Sequence, residues 1–386
     1  MPTYSTGLVF DERYLSHDTG VESTVTMRNG AFTLPPEPHP SALYITQRIK
    51  QFLDGSGLTA RMQLIAARAA SEDELAVYHT REYIAGIRAL CEDVEGVEGG
   101  GSAKEAWGEA EFDAPLSRGS FEAALYAAGG AMNAVSAVIK GEVRNVYALL
   151  RPPGHHATKN RAMGFCIFGN AVLAAHHARK VCGVERVMIV DWDVHHGNGT
   201  QDAFYQDPNV LFVSLHQHNW YPKLSGELEQ VGSGAGAGYT VNIPLPAGTG
   251  DRGYRAAFEQ VVLPIGQQFR PQLIIISAGH DASWLDPLAQ MMVTMAGFRQ
   301  MSELLVSLAE EVCEGRLVML QEGGYSAAYV PYCAVAAVEP LLGVDLGITD
   351  LYATSSELER CKTILTDETR NALSEARRWH KQRWKI

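Results

Sequence analysis

The chain has 386 residues, 46% of them apolar, and sets 32 basic side chains against 44 acidic ones for a net charge of −12. That balance argues against a nucleic-acid-binding surface, and with no signal peptide and no apolar run of membrane-spanning length the expected location is the cytoplasm. Six cysteines (Cys91, Cys166, Cys182, Cys313, Cys333, Cys361) are scattered without C-x-x-C spacing, which points to a reduced protein, and with no proline- or serine-rich linker one domain spanning 1–386 is expected.

In chain order, helical periodicity marks 41–53, and an acidic, glycine-containing stretch from Glu92 to Asp113 reads as an exposed loop or short helix. A long helix follows at 120–140. An apolar strand at 146–150 then runs straight into RPPGHH. A helix at 169–181 carries His176 and His177, expected to be exposed or half-buried and without chemistry. A strand at 187–190 ends in DWDVHH, and another at 211–215 ends in HQHN. The glycine-rich VGSGAGAGYTVNIPL precedes the strand TVNI instead of following one and opening a helix. This order excludes a dinucleotide cradle and leaves a flexible active-site loop as the expectation. Helix 252–269, strand 273–277 with AGHD, helix 296–314 and strand 317–320 with QEGGY complete the alternation. The basic, aromatic ending EARRWHKQRWKI has two readings, docking on an acidic neighbour or a solvated helix end that packs its tryptophans, and the second is the expectation. Alternating strands and helices favour an α/β fold with a mainly parallel central sheet and helices on both faces. Five apolar runs each followed at once by polar residues place a site at the carboxyl ends of the strands.

The polar residues have metal-ligand character. With an extended backbone, Asp191, Asp193 and His195 would lie on one side and Trp192, Val194 and His196 on the other. A catalytic Zn²⁺ needs three protein ligands and an open position. D-x-H supplies two, and Asp281, in the same position relative to its strand as Asp193, is the best third. A lone D-x-H or a lone His pair is common by chance; the combination is what carries weight.

RPPGHHA, GFCIFGNAV, DWDVHHGNGTQ, VSLH, SAGHDA and QEGGY, in this order, resemble the zinc-dependent histone deacetylase superfamily. The resemblance runs from TGLVFDERYLSHD through DELAVYHTREYI to a helix around 330–342. HHGNG, with asparagine where class I enzymes carry aspartate, looks like class II, and DPLAQMMVT is similar to bacterial histone-deacetylase-like amidohydrolases. The resemblance implies an arginase/deacetylase-like fold and one catalytic Zn²⁺ on Asp193, His195 and Asp281. It further implies that Tyr325 donates a hydrogen bond to the developing oxyanion. His156 would be general base and then acid, and His155 its electrostatic partner. Asp191 would hold His155 and Asn198 would hold His156; a carboxylate raises imidazole basicity more than an amide does, so the two should titrate differently, with His156 nearer neutrality.

The same resemblance implies one or two structural K⁺ or Na⁺ ions. One would bind Asp191, the main-chain oxygens of Asp193, His195 and Leu215, and the hydroxyl of Ser214; a second would involve Phe204, Asp207 and Val210. Gly164 and Phe165 would form one wall of an acyl-lysine channel. Tyr221 takes the other, where family members usually have phenylalanine, which puts substrate preference at the rim in doubt. His280 replaces an aromatic residue usual in class II and should face away from Asp281. Cys166 is expected to be a buried thiol lining the site. His17, His39 and His79 belong to segments that could approach the rim. Leu288 stands where polyamine-selective relatives carry a glutamate, so acetyl-lysine peptides should be preferred over acetylspermidine.

The expectation is a zinc-dependent amidohydrolase for acyl-lysine or a small N-acyl amine, with no nucleic-acid or membrane partner and with homo-oligomers allowed. Competing readings are an acetylpolyamine amidohydrolase and a binuclear manganese ureohydrolase, the latter disfavoured because its D-x-H-x-D spacing is missing. A non-catalytic acyl-lysine binder is disfavoured because every catalytic position is filled.

Overall fold

The computed structural model describes residues 6–27, 30–93, 114–353 and 356–386. Its strands are β1 (Thr6–Val9), β2 (Val21–Met27), β3 (Gly30–Pro38), β4 (Gln63–Ile65), β5 (Asn145–Ala148), β6 (Val187–Asp191), β7 (Val210–Gln217), β8 (Thr240–Leu245), β9 (Leu273–Ala278) and β10 (Leu317–Gln321). Eight form one sheet in the order β4-β1-β5-β10-β9-β6-β7-β8, every pair parallel; β2 and β3 make a separate antiparallel pair.

Composition explains the central strands. Each residue of β5, β6, β7, β9 and β10 is buried, as expected when helices cover both faces of a parallel sheet. Alternation assigns the faces. Ile274, Ile276, Leu317 and Met319 enter one core with helices Leu43–Gly55, Met295–Cys313 and Val330–Leu342. Leu273, Ile275, Val318 and Leu320 enter the other with Arg81–Asp93, Ser120–Ile139 and Asn170–Lys180.

The chain lays down β5 and β6 apart and later inserts β9 and β10 between them. The five strands that end in polar motifs are therefore contiguous, β5-β10-β9-β6-β7. Such a crevice, at the carboxyl ends where strand order reverses, is where open α/β sheets hold ligands.

Several expectations change in detail. The helix expected at 252–269 is Asp251–Ala257, a wide π-turn over Phe258–Val262, then Leu263–Phe269. Pro264 has no amide hydrogen to continue the ladder, and the wide turn sits just before it. The acidic stretch contributes Glu92 and Asp93 to the helix Arg81–Asp93, and 94–113 lie outside the described residues. The glycine-rich run does not approach the pocket. It joins the carboxyl end of β7 to the amino end of β8, so its last residues must travel back along the sheet. There Ser233 N–H donates to the Tyr205 carbonyl at 2.8 Å, and Gly238 packs on Arg383.

The C-terminal residues seal the β8 edge. After helix Asp367–His380, His380 Nε2–H donates to the Asn242 carbonyl of β8 at 3.0 Å, and Trp384 Nε1–H donates to the Gly238 carbonyl at 2.8 Å. The Trp384 ring meets Tyr239 and Phe269 edge-on at 5.7 and 6.4 Å. A sheet edge left bare would offer unpaired backbone groups to other chains. Trp384→Ala should lower unfolding stability by about 3 kcal/mol, the usual cost of deleting a buried aromatic ring, read from urea denaturation midpoints; a change below about 0.5 kcal/mol would show that the tail packs without stabilising.

Candidate active site

β6 ends at Asp191, and the residues after it are a bend instead of the extended strand expected from sequence. The cause is side-chain competition for the backbone. Asp191 Oδ1 accepts Asp193 N–H at 3.1 Å, and Asp193 Oδ1 accepts His195 N–H at 2.9 Å, the short-range turn chemistry typical of aspartate. The two-sided arrangement nevertheless persists. Trp192 and Val194 enter the core, while Asp193 and His195 face the crevice.

Asp281 arrives from β9, but not at the position equivalent to Asp193. Asp191 pairs with Ser277, so the equivalent of Asp193 is Gly279 and Asp281 lies two residues further on. Gly279 makes room: a Cβ there would stand 2.1 Å from Asp193 Oδ2. Asp281 Oδ1 accepts Val194 N–H at 2.8 Å, leaving Oδ2 for the site.

Asp193, His195 and Asp281 come together, buried, with their ligand-type atoms all within 4.8 Å of one another. His195 Nδ1 is 3.1 Å from Asp193 Oδ1 and 3.1 Å from Asp281 Oδ2. One imidazole hydrogen cannot serve two carboxylates well, and ligands around a tetrahedral zinc stand about 3.3 Å apart. As bare protein groups the trio attracts positive charge. Burial lowers the His195 pKa, yet its bonds to Asp193 and Asp281 outweigh burial and hold it up at about 10. Burial and the neighbouring Asp193 charge push Asp281 up to about 6. Two buried carboxylates beside one imidazole are costly unless a cation joins them, and this donor set suits a divalent metal ion.

The tandem histidines follow β5. His155 Nδ1 is 3.0 Å from Asp191 Oδ2, His156 Nδ1 is 2.8 Å from Asn198 Oδ1, and the two rings lie 3.9 Å apart. Burial lowers His155, but the carboxylates of Asp193 and Asp191 more than offset it and set its pKa well above the ordinary value. Burial, with His155 and His195 as cationic neighbours, holds His156 well below it. If Asn198 presents its oxygen, His156 carries its proton on Nδ1 and turns a basic Nε2 to the pocket.

Tyr325 follows β10. Its ring meets Phe165 at 5.6 Å and His195 at 6.3 Å. A Cβ at Gly323 would come within 2.9 Å of the phenol oxygen and 2.4 Å of Asp281 Oδ2. The hydroxyl therefore lies beside the acidic trio. Burial first, then the charges of Asp281 and Asp193, hold its proton on far above the ordinary phenol range.

Gly164 and Phe165 both adopt positive φ, and a Cβ at Gly164 would meet the His156 ring at 2.1 Å. Tyr221 lies 5.0 Å from His156 and 5.9 Å from His195, ring to ring. Leu288 is half-buried, and its carbonyl accepts Trp220 Nε1–H at 2.7 Å. Cys166 is buried, its thiol donating to the Gly164 carbonyl. His280 is buried away from the trio, its ring 5.1 Å from Phe298. Ser214 pairs with Asp191 across β6 and β7, with Leu215 next to it. Phe204, Asp207 and Val210 mark two successive tight turns, where Asp207 N–H donates to Phe204 O and Val210 N–H to Asp207 O; the Asp207 carboxylate pairs with Arg179. His176 and His177 are half-buried. Of the N-terminal histidines, His39 reaches the rim, edge-on to Phe165 at 4.7 Å.

Three contributors were not assigned from the sequence. Glu322 Oε2 accepts Gly154 N–H at 2.7 Å and His155 N–H at 3.2 Å, and Oε1 accepts the Ser277 hydroxyl at 3.2 Å. Burial pushes its pKa up to about 7. Asp286 accepts Tyr325 N–H at 2.7 Å. His216 Nε2–H donates to the Gly226 carbonyl at 2.9 Å, so its Nδ1 accepts a hydrogen bond from the Ser214 hydroxyl, also at 2.9 Å. Glu322 and His216 stand inside quoted motifs, QEGGY and VSLH, but nothing in their spacing reveals which amide or hydroxyl they meet.

Gly279→Ala tests the trio directly, because the added methyl would occupy the place of an Asp193 oxygen. Divalent metal affinity should fall at least about 10-fold while unfolding stays cooperative, measured by competition with a metal indicator. Unchanged affinity would show that the trio does not bind the ion as a unit.

Residues 39–341 match the histone deacetylase domain family. The chain is 41% identical over 375 residues to the histone deacetylase-like amidohydrolase of Pseudomonas aeruginosa, covering 97% of this chain and 95% of that protein. It is 38% identical over 342 residues to a probable deacetylase of Archaeoglobus fulgidus, covering 88% and 87%. The crystal structure of the HDA15 HD domain superposes with a TM-score of 0.83 at 35% identity, over 99% of this chain and 96% of that one. A shared fold at this identity, with matches over nearly the full length, is common descent: the chain belongs to the histone deacetylase family, a family of amidohydrolase enzymes.

Proposed function

We propose that this protein is a zinc-dependent deacylase that hydrolyses the amide of acyl-lysine or of a related small N-acyl amine. One observation carries the reading: the acidic trio, the tandem histidines and the Tyr325 phenol share one crevice, each beside the next. Zinc on Asp193, His195 and Asp281 would supply Lewis acidity toward the acyl oxygen and make a bound water acidic at neutral pH.

The chain's own residues supply the rest. His156 Nε2 takes the proton of the attacking water and returns it to the departing amine. His155, held by Asp191, keeps positive charge beside the forming oxyanion. Tyr325 donates its hydroxyl hydrogen to that oxygen, and its raised pKa keeps the hydrogen in place. Phe165 and Tyr221 bracket the lysine stem, the phenol adding a polar edge at the rim.

A structural K⁺ or Na⁺ on Asp191, Ser214 and the main-chain oxygens of Asp193, His195 and Leu215 is part of the proposal. Support comes from His216, which accepts a hydrogen bond from the Ser214 hydroxyl and leaves that oxygen's lone pairs free for a cation. A second such ion in the Phe204–Asp207–Val210 turns would rest on backbone oxygens, since Arg179 already matches the Asp207 charge. The chain is read as one catalytic unit. Among the described residues no helix is long and apolar enough to cross a membrane; five cysteines, Cys91, Cys166, Cys182, Cys313 and Cys333, are thiols outside any disulfide, which suits a reducing compartment such as the cytoplasm.

A fluorogenic acetyl-lysine substrate, assayed with and without chelator and with metal content measured in parallel, tests the reading. Asp281→Ala should lose zinc and activity together; two manganese ions per chain, or full zinc retention in this variant, would sink the assignment. Tyr325→Phe should lower turnover roughly 10²–10³-fold with zinc unchanged, as removal of other oxyanion donors does. Near-normal turnover would give the oxyanion role to another group.

The rim predicts substrate choice. Leu288 offers no charge to a second ammonium, an attraction worth on the order of 4 kcal/mol at 4 Å in a partly wet site. Acetyl-lysine peptides should exceed acetylspermidine in kcat/KM, and Leu288→Glu should shift the ratio toward acetylspermidine. A tenfold wild-type preference for acetylspermidine would favour the polyamine amidohydrolase instead.

A further inference from the structure

We propose that Asp286 is a positioning residue for Tyr325, and that its single carboxylate ties the tyrosine loop to the channel rim. The inference rests on the deacylase reading for its kinetic consequences.

Asp286 is 8% exposed and spends both carboxylate oxygens on backbone amides. Oδ2 accepts Tyr325 N–H at 2.7 Å, Oδ1 accepts Leu288 N–H at 2.9 Å, and its own N–H donates to the Ser283 carbonyl at 3.1 Å. The turn that follows Asp281 is thereby closed around this side chain. From the same turn the Leu288 carbonyl accepts Trp220 Nε1–H at 2.7 Å, one residue before Tyr221, and Gln290 N–H donates to Gln217 Oε1 at 2.9 Å. One carboxylate thus joins the segment after Asp281, the tyrosine loop and the 217–221 wall.

The tyrosine loop needs such a holder. Gly323 and Gly324 give it no side chains, and Gly324 sits at φ +125. Two consecutive glycines leave the direction of the following residue weakly determined by the backbone itself. Gly323 N–H is fixed by Asp193 Oδ2 at 2.9 Å. Its carbonyl accepts His280 N–H at 2.9 Å and Gln321 Nε2–H at 3.0 Å, so Gly324 is the free joint, and the next anchored amide before the phenol is that of Tyr325, on Asp286. A phenol displaced by about 1 Å from the acyl oxygen loses most of its effect on the transition state.

The test is a double-mutant cycle on the zinc-loaded enzyme, with amide hydrogen exchange as an independent readout. Asp286→Ala should lower kcat about 10- to 100-fold with KM within about 2-fold and zinc content unchanged. On a Tyr325→Phe background the same substitution should cost less than about 3-fold, since residues acting through one group are not additive. Exchange of segment 322–326 should speed up at least about 10-fold. Asp286→Asn keeps an acceptor for the Tyr325 amide and should recover most of kcat. Equal losses on both backgrounds, or unchanged exchange in Asp286→Ala, would overturn the inference. If the wild-type enzyme cleaves no acyl-lysine or N-acyl amine, the deacylase reading fails; exchange then decides alone, with lost protection supporting Asp286 as holder of the loop and intact protection overturning it.

Discussion

Buried negative charge governs this molecule. Asp191, Asp193, Asp281 and Glu322 are all buried and converge from the carboxyl ends of three adjacent strands, β6, β9 and β10. Carboxylates removed from water are costly unless each finds a hydrogen-bond donor or a cation, and the local structure is a set of answers to that cost. Asp191 and Asp193 take backbone amides two residues on, Asp281 takes Val194 N–H, and Glu322 takes the amides of Gly154 and His155. What backbone amides cannot neutralise is met by His155 and His195, and on the proposed reading by metal ions. The chemistry of the site and the bends that shape it therefore have one origin.

Much of this was legible in the sequence because burial leaves a strong trace. Runs such as LIIIS and VMIVD, short, β-branched and followed at once by polar residues, fit strands covered on both faces, and the expected bounds lie within a few residues of the observed ones. The polar residues behind them were legible as a set, since Asp and His recurring straight after several apolar runs carry weight that one pair alone does not; Glu322, in the same kind of position, was not assigned. β1 and β4 left no such trace; with four and three residues they are too short for period-2 alternation to stand out.

Side-chain competition with the backbone was harder to read. The extended geometry expected for DWDVHH gave the correct grouping of residues from an incorrect conformation, because successive Asp turns also send alternate residues to opposite sides. The offset of Asp281 from the position of Asp193 has a related cause: Gly279 is required where an oxygen of Asp193 lies. Glycine in a motif reports close approach but not what approaches. The same limit explains the run at 232–238, whose glycines face Tyr205, Gln206, Asp207 and Arg383 at the far end of the sheet.

The order in which the strands enter the sheet has a consequence for biogenesis. β5, carrying the tandem histidines, and β6, carrying two of the proposed metal ligands, are separated in space by β9 and β10, which the ribosome delivers last. A nascent chain that has emerged only as far as Arg270 holds two half-sheets with exposed inner edges and nothing to align them. In the folded chain His155 and Asp191 meet across a sheet that Leu273–Ala278 and Leu317–Gln321 complete, so an amino-terminal fragment ending before Leu273 lacks the strands that bring the two together.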